Sequence, residues 1–228
     1  MNILSVIPAR AGSTRLKDKN VYPLLFKPLI RWITESVVES NCFNDIYIST
    51  DGDHIYEAVS DLPVQRHFRQ PVHATTESTV LEAMIDIVRS SPKSYDAFAY
   101  FLPTCPLVSS ADITAGVEKL KERDCDSVIS MTTIPETIQL ACIMSNDNVY
   151  PVFDNIECGM TNSKFIKKYY KPSGAFYMAE WDYLVEHANF FKGRTKGVLI
   201  PSERSVDINT VEDIKHAESV YANLLRHR

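Results

Sequence analysis

The amino-acid sequence predicts an α/β fold built on a mostly parallel sheet. Short apolar runs alternate with amphipathic stretches along most of the chain, the pattern of successive βα units. The 228 residues, 45% hydrophobic and 23% charged, suit one domain or one domain with an appendage. No internal repeat, low-complexity tract or linker rich in Gly, Pro and Ser divides them. A chain of this length buries roughly 70 to 75% of the surface it would expose unfolded, so its core needs no metal or disulfide staple.

Strands are expected at Ile3–Pro8, Asp45–Ser49, Val64–Phe68, Tyr95–Leu102 and Ser127–Thr132, each a short apolar run. Between them Leu29–Val38 spaces its apolar residues helically, Asp53–Val59 reads as a short helix, and Ser78–Val88 opens on a Ser with Glu82 in its first turn. Ser109 or Ser110 can cap a helix through Leu120, with Asp112 near its positive end. From Ile134 to about Tyr170 the alternation breaks. There Asn146-Asp147-Asn148 reads as a turn between the apolar segments 138–144 and 149–153. Residues 134–170 are therefore expected to be an insertion, a hairpin and an extra helix outside the sheet, that makes a homodimer contact. The sheet resumes near Ala175–Met178 and Val198–Pro201, and a last helix spans Val211–Leu225.

Composition excludes several classes of function. Gly12 is followed next by Gly52, so neither a dinucleotide-binding G-x-G-x-x-G nor a G-x-x-x-x-G-K-[ST] phosphate loop can be written. The five Cys (Cys42, Cys105, Cys125, Cys142 and Cys158) are odd in number and never C-x-x-C, which disfavours disulfide scaffolds and paired-Cys zinc modules and predicts a reducing cytoplasm. Met1-Asn2 runs straight into Ile3–Pro8, from which no signal peptide is expected. No run approaches the ~18 apolar residues of a membrane span. A net charge of −5 offers no overall field for nucleic acid. The six His are scattered without ligand spacing, and no Ser-His-Asp triad is legible.

The segment after the first strand, Pro8-Ala9-Arg10-Ala11-Gly12-Ser13-Thr14-Arg15-Leu16-Lys17-Asp18-Lys19-Asn20, is short, polar and cationic. At the carboxyl end of a central parallel strand it offers Gly and Ser amides with Arg10, Arg15, Lys17 and Lys19 around one small volume. A triphosphate is the natural guest. The alternative is a solvated basic loop, although clustered cations at that edge repel one another unless an anion neutralises them.

Ile7-Pro8-Ala9-Arg10 with Gly12-Ser13 and Lys19-Asn20 resembles the amino-terminal signature of the acylneuraminate cytidylyltransferases, which make CMP-activated sialic acids and related nonulosonates. Ile48-Ser49-Thr50-Asp51-Gly52 resembles the family's second-strand segment, and Arg69 with Thr76-Glu77-Ser78-Thr79 its base-binding stretch. Leu102-Pro103-Thr104-Cys105-Pro106-Leu107 is similar to its Gln-Pro-Thr-Ser-Pro-Leu motif, Lys171-Pro172-Ser173-Gly174-Ala175-Phe176-Tyr177 to Arg-Pro-Asn-Gly-Ala-x-Tyr, and Val206-Asp207-Ile208-Asn209-Thr210 with Asp213 to the Asp-Ile-Asp-Thr metal segment. The ketodeoxyoctonate cytidylyltransferases share Ser13-Thr14-Arg15-Leu16 but would carry Gln-Gly-Asp-Glu-Pro where this chain reads Leu102–Pro106.

The resemblance implies a Rossmann-like, three-layer nucleotidyltransferase fold and a magnesium-dependent attack by the anomeric hydroxyl of a nine-carbon keto acid on the α-phosphorus of CTP. The acceptor could be an N-acylneuraminate, a legionaminate or a pseudaminate. It assigns Arg10, Lys19 and Asp207 to catalysis, and Arg10, Ala11, Gly12, Ser13, Lys19, Asn20, Arg69 and Thr79 to the nucleotide. Asp207 and Asn209 fall to the metal, and Lys164, Lys171, Ser173 and Tyr177 to the sugar. Each has a plainer alternative: surface ion pairs for Arg10 and Lys19, a turn cap for Asn20, a rim salt bridge for Arg69, a helix start for Asp207–Asp213 and a core position for Tyr177. Asn209 stands where the family often has a second Asp, and so brings no charge. Lys164, Lys167, Lys168 and Lys171 would share one face if their segment were helical, open to a carboxylate substrate or merely solvated. Rival readings are the same chemistry on another anionic acceptor such as a phosphonate, and a CTP-binding module without catalysis.

Overall fold

The sheet is organised around β1 (Ile3–Pro8), a strand buried along its whole length. The computed structural model describes the chain except residues 76–78, 94, 135–137, 155, 157, 160, 161, 163–166, 227 and 228. Ile3 and Ile7 point into one core cluster and Leu4 and Val6 into another, the period-two alternation of a strand covered on both faces. Parallel to β1 lie β4 (Asp45–Thr50) on one side and β6 (Ala97–Phe101) on the other. Outside β4 is β5 (Gln65–Phe68), and beyond β6 come β10 (Tyr170–Glu180), β7 (Ser127–Thr133) and β11 (Thr195–Leu199). The seven-stranded order is β5-β4-β1-β6-β10-β7-β11, with β10 antiparallel to both its neighbours.

Three helices cover one face: α1 (Leu29–Glu39), α2 (Asp53–Glu57) and α4 (Ser110–Lys121), through Ile30, Ile33, Ile55, Ile113 and Val117. The other face is covered by α3 (Val80–Ser90) and α5 (Trp181–His187), through Met84, Ile87 and Leu184. The final helix, α6 (Val211–Arg226), packs Ile214 and Ala217 against Leu24 and Leu29 beside a small hairpin, β2 (Pro23–Leu24) and β3 (Lys27–Pro28). The three layers match the predicted fold class. No helix among the described residues is long and apolar enough to cross a membrane.

Capping signals proved the most legible. Ser109 closes a capping box with Asp112 at the start of α4. At α3 the cap is Thr79, paired with Glu82, one residue later than the Ser read from sequence. Asn146 and Asp147, both at positive φ, turn β8 (Cys142–Ser145) into β9 (Asn148–Pro151), the predicted hairpin. The insertion is closed at its base by the Ile134 amide donating to the Tyr169 carbonyl at 3.0 Å.

Several expectations need correction. The sheet resumes at Tyr170, not near Ala175, because β10 carries a bulge between Pro172 and Tyr177 that breaks the apolar alternation. Gly174 sits in that bulge at φ +85, a conformation glycine adopts without steric cost. β11 lies earlier than read, over Thr195–Leu199, since an edge strand needs few apolar residues. Within 134–169 the described residues contain a short 3-10 turn, Ile138–Leu140, and the expected extra helix falls in part on 155–166, where residues lie outside those described. The helical lysine face does not hold for Lys167, Lys168 and Lys171, because 167–169 is irregular and Lys171 lies in β10; Lys164 is outside the described residues.

Candidate active site

The carboxyl ends of β1, β4, β5 and β6 share one edge of the sheet with the amino end of antiparallel β10. From β1 the chain builds outward through β4 and β5, then returns to place β6 on the far side of β1. Open α/β sheets bind ligands outside the strand ends at such a switch of direction.

The loop after β1 is held open by side chains rather than collapsed on itself. The Ala11 amide donates to Asp51 Oδ1 at 2.7 Å, and Asp51 directly follows β4. Asn20 is buried and donates from Nδ2 to the Arg10 carbonyl at 2.9 Å, so it braces the loop from within. Arg10 donates from Nη1 to the Thr75 carbonyl at 2.8 Å, and buried Arg69 donates from Nε to the His73 carbonyl at 2.7 Å. Apart from Gly12 itself and its two chain neighbours, no atom of the described residues lies within 4 Å of where a Cβ at Gly12 would stand. Ser13 donates its amide to the Ala11 carbonyl at 3.0 Å.

A second loop reaches this one from the far end of the chain. Lys19 Nζ donates to the Ile208 carbonyl and to Asn209 Oδ1, both at 3.3 Å. Arg15 Nη2 donates to the same Oδ1 at 2.7 Å, and Asn209 Nδ2 donates to Asp207 Oδ2 at 2.9 Å. Three devices fix this loop. The Ile208 amide donates to the Thr104 carbonyl at 2.8 Å, tying the loop to the segment after β6. Thr210 and Asp213 form the reciprocal cap of α6. Arg204 grips Asp112 with two nitrogens, one bond being Nη2 to Oδ1 at 2.9 Å, and also donates to the Leu107 carbonyl at 3.2 Å.

The electrostatics favour a polyanion. Burial holds the Lys19 ammonium below its usual 10.5; Asp207 opposes this, while Arg15 and Arg10 add to it. Burial likewise lowers Arg69, with Asp51 opposing and Arg10 adding. Cations held in part out of water beside other cations are stabilised when several negative charges arrive together. Deeper in the sheet, burial pushes the Cys105 thiol up to about 12, so it stays protonated.

The structure thus brings Arg10, Ala11, Gly12, Ser13, Lys19, Asn20, Arg69, Asp207 and Asn209 to one edge. Thr79 caps α3, its hydroxyl accepting from the Glu82 amide at 3.2 Å. Ser173, expected at the sugar, is buried in the β10 bulge and donates to Ser130 Oγ at 2.7 Å. Tyr177 is half-buried, stacked on Tyr100 with ring centroids 4.9 Å apart. Lys171 is exposed on β10; Lys164, Ser163 and Thr76–Ser78 lie outside the described residues. Asp51, Asp112 and Arg204 were missed. The first was quoted in a motif without a role, and the other two meet only through the fold.

A divalent ion would find the exposed carboxylate of Asp207 here, whose neighbour Asn209 already gives its carbonyl oxygen to two cations. Among the described residues no cluster of three or more His, Cys, Asp or Glu could hold a metal. Magnesium, which commonly takes one or two carboxylates and fills its shell with phosphate oxygens and water, fits a site of this kind.

The chain belongs to the cytidylyltransferase family, whose sequence profile matches residues 4–219. It is 30% identical over 224 residues to the CMP-N,N'-diacetyllegionaminic acid synthase of Legionella pneumophila, covering 93% of each chain. To the pseudaminic acid cytidylyltransferase of Campylobacter jejuni it is 27% identical over 225 residues, covering 97% of each. The N-acylneuraminate cytidylyltransferase of Streptococcus agalactiae is also 27% identical over 218 residues, 95% of this chain and 52% of that one. In fold the chain resembles a CMP:2-keto-3-deoxy-manno-octonic acid synthetase solved with CTP, with a TM-score of 0.71 at 15% identity over 98% of this chain and 99% of that one.

Proposed function

We propose that this protein transfers CMP from CTP to the anomeric hydroxyl of a sialic acid-like nonulosonate. The acceptor oxygen attacks the α-phosphorus, the bond from that phosphorus to the bridging oxygen breaks, and pyrophosphate leaves with the electron pair. The observation that carries this reading is the gathering of Arg10, Arg15 and half-buried Lys19 at the carboxyl edge of β1, with Arg15 and Lys19 bound to Asn209 beside Asp207. Arg10 and Lys19 would neutralise the charge that builds on the leaving pyrophosphate. Arg69, with its guanidinium buried beyond β5, would close the base side. Asp207 would hold magnesium, which supplies charge neutralisation between phosphate oxygens when bound. The names of the relatives support a nonulosonate acceptor, for which Tyr177 and Lys171 of β10 are the candidate contacts.

The same reading includes a homodimer in the cytoplasm. Ile143, Met144, Val149, Tyr150 and Val152 of the insertion each expose half or more of their surface, an apolar set suited to a second copy. All five cysteines are free, as a reducing compartment allows. Pyrophosphate release, assayed with CTP, magnesium and a panel of nine-carbon keto acids, tests the reaction. Release with one or more of them is expected; release only with a phosphonate, or with no acceptor, overturns it.

A further inference from the structure

We infer that Asn209 is a positioning residue, a side-chain amide that ties Arg15 and Lys19 of the first loop to Asp207 and sets both halves of the site before nucleotide arrives. The inference rests on the nucleotide-transfer reading above and departs from the expectation that Asn209 ligates metal.

The orientation of this amide is fixed by chemistry. Arg15 and Lys19 can only donate and the Asp207 carboxylate can only accept, so Oδ1 must face the cations and Nδ2 the carboxylate. The distances agree: 2.7 and 3.3 Å to the two cations and 2.9 Å to Asp207. Two donors use both lone pairs of Oδ1, which leaves none for a metal ion. The backbone does not drift either, because the Asn209 amide donates to Asp213 Oδ2 at 2.8 Å within the α6 cap.

No other side chain of this length does the same work. Aspartate would accept from both cations but could not donate, and would set a second carboxylate against Asp207. Alanine would release all three partners. Asn209 thereby holds the cations and the carboxylate together without requiring a metal.

The test has two arms. In the first, the Asn209 side-chain amide resonance, identified by its loss in Asn209→Asp, is followed in metal-free, nucleotide-free protein. Asp207→Ala should move it toward the position of a solvated Asn, and an unmoved signal overturns the inference. In the second, CTP binding is measured by calorimetry in EDTA and in magnesium. Asn209→Ala should weaken CTP about fivefold in both buffers, because Arg15 and Lys19, released from their tether, must be ordered by the nucleotide on binding. Asn209→Asp should weaken it about tenfold in EDTA, through like-charge repulsion, and recover with magnesium. If Asn209→Ala binds normally in EDTA and is impaired only with magnesium, Asn209 is a ligand and the inference falls. If the wild-type protein binds CTP in neither buffer, the nucleotide reading fails instead, and the resonance arm still decides the role of Asn209.

Discussion

Two parts of this molecule handle polar and apolar surface in opposite ways. At the carboxyl edge of β1, loops from opposite ends of the chain are locked by side-chain bonds: Lys19 to Asn209, Ala11 to Asp51, Arg204 to Asp112. In the insertion, β8 and β9 pair with each other and with no other strand among the described residues, and display apolar residues to solvent. The described side chains of the edge are already tied to one another without ligand, whereas the hairpin exposes an apolar surface. Preorganised charge suits a reaction governed by positioning and neutralisation, where groups that need not move contribute most. Exposed apolar strands suit association, which gains from surface that folding leaves uncovered.

The largest effect is expected at Asp207. Asp207→Ala should lower magnesium-dependent turnover on the order of a thousandfold, because the carboxylate that would hold the ion is gone. An exposed side chain makes little difference to folding, so the circular dichroism melt should stay close to wild type. A small loss of turnover would mean that the edge works without this carboxylate.

Next are the cations. Lys19→Ala or Arg10→Ala should each cost about 1.5 to 3 kcal/mol of transition-state stabilisation, roughly ten- to a hundredfold in kcat/KM. Steady-state kinetics with CTP measures it. Wild-type values in both variants would remove the loop from the phosphate site.

Arg204→Ala tests whether the edge is locked by the fold. Its partner Asp112 is mostly buried, and the loss should cost about 2 kcal/mol of stability at neutral pH, below the range for fully buried pairs because Arg204 keeps some contact with solvent. The effect carries a pH signature. Burial alone would raise Asp112, but its bonds from Arg204 and Ser109 outweigh that and hold it below 3.8. A carboxylate with a depressed folded value contributes stability that is full above its unfolded value and lost as the pH falls through the folded one. The difference between wild type and Arg204→Ala in urea unfolding should therefore be full at pH 7 and shrink below about pH 4.

What could be read from the sequence follows the same division. β1, the caps at Ser109 and Thr210 and the hairpin turn at Asn146-Asp147 were legible because each depends on residues within a few positions. The cationic loop was legible from its density of charge just after a buried strand. The direction of β10 was not, since a bulge with Pro172 and Gly174 hides its start. Nor were the roles of Asp51 and Arg204, whose partners lie 40 and 92 residues away. Asn209 read as a weakened metal ligand because its sequence neighbours say nothing of Arg15 and Lys19. Ser173 and Thr79, taken for substrate contacts, are tied into the bulge and the α3 cap by partners that the sequence alone did not pair with them.

The smallest effect on folding, and the sharpest test of the insertion, comes from its hairpin. Cross-strand register sets Met144 opposite Val149 and Ile143 opposite Tyr150, so the two pairs lie on opposite faces. Met144→Ser/Val149→Ser and Ile143→Ser/Tyr150→Ser each change residues already exposed, and the stability of the isolated chain should move by no more than about 0.5 kcal/mol per substitution. If the insertion joins two copies, wild-type protein should sediment at about twice 25.9 kDa. At least one of the two double variants should then fall to 25.9 kDa, and the face it names is the contact. Two variants that remain dimeric would move the interface elsewhere. A monomeric wild type would mean that the apolar faces of β8 and β9 serve a different partner, which would end the likeness between this insertion and a subunit contact.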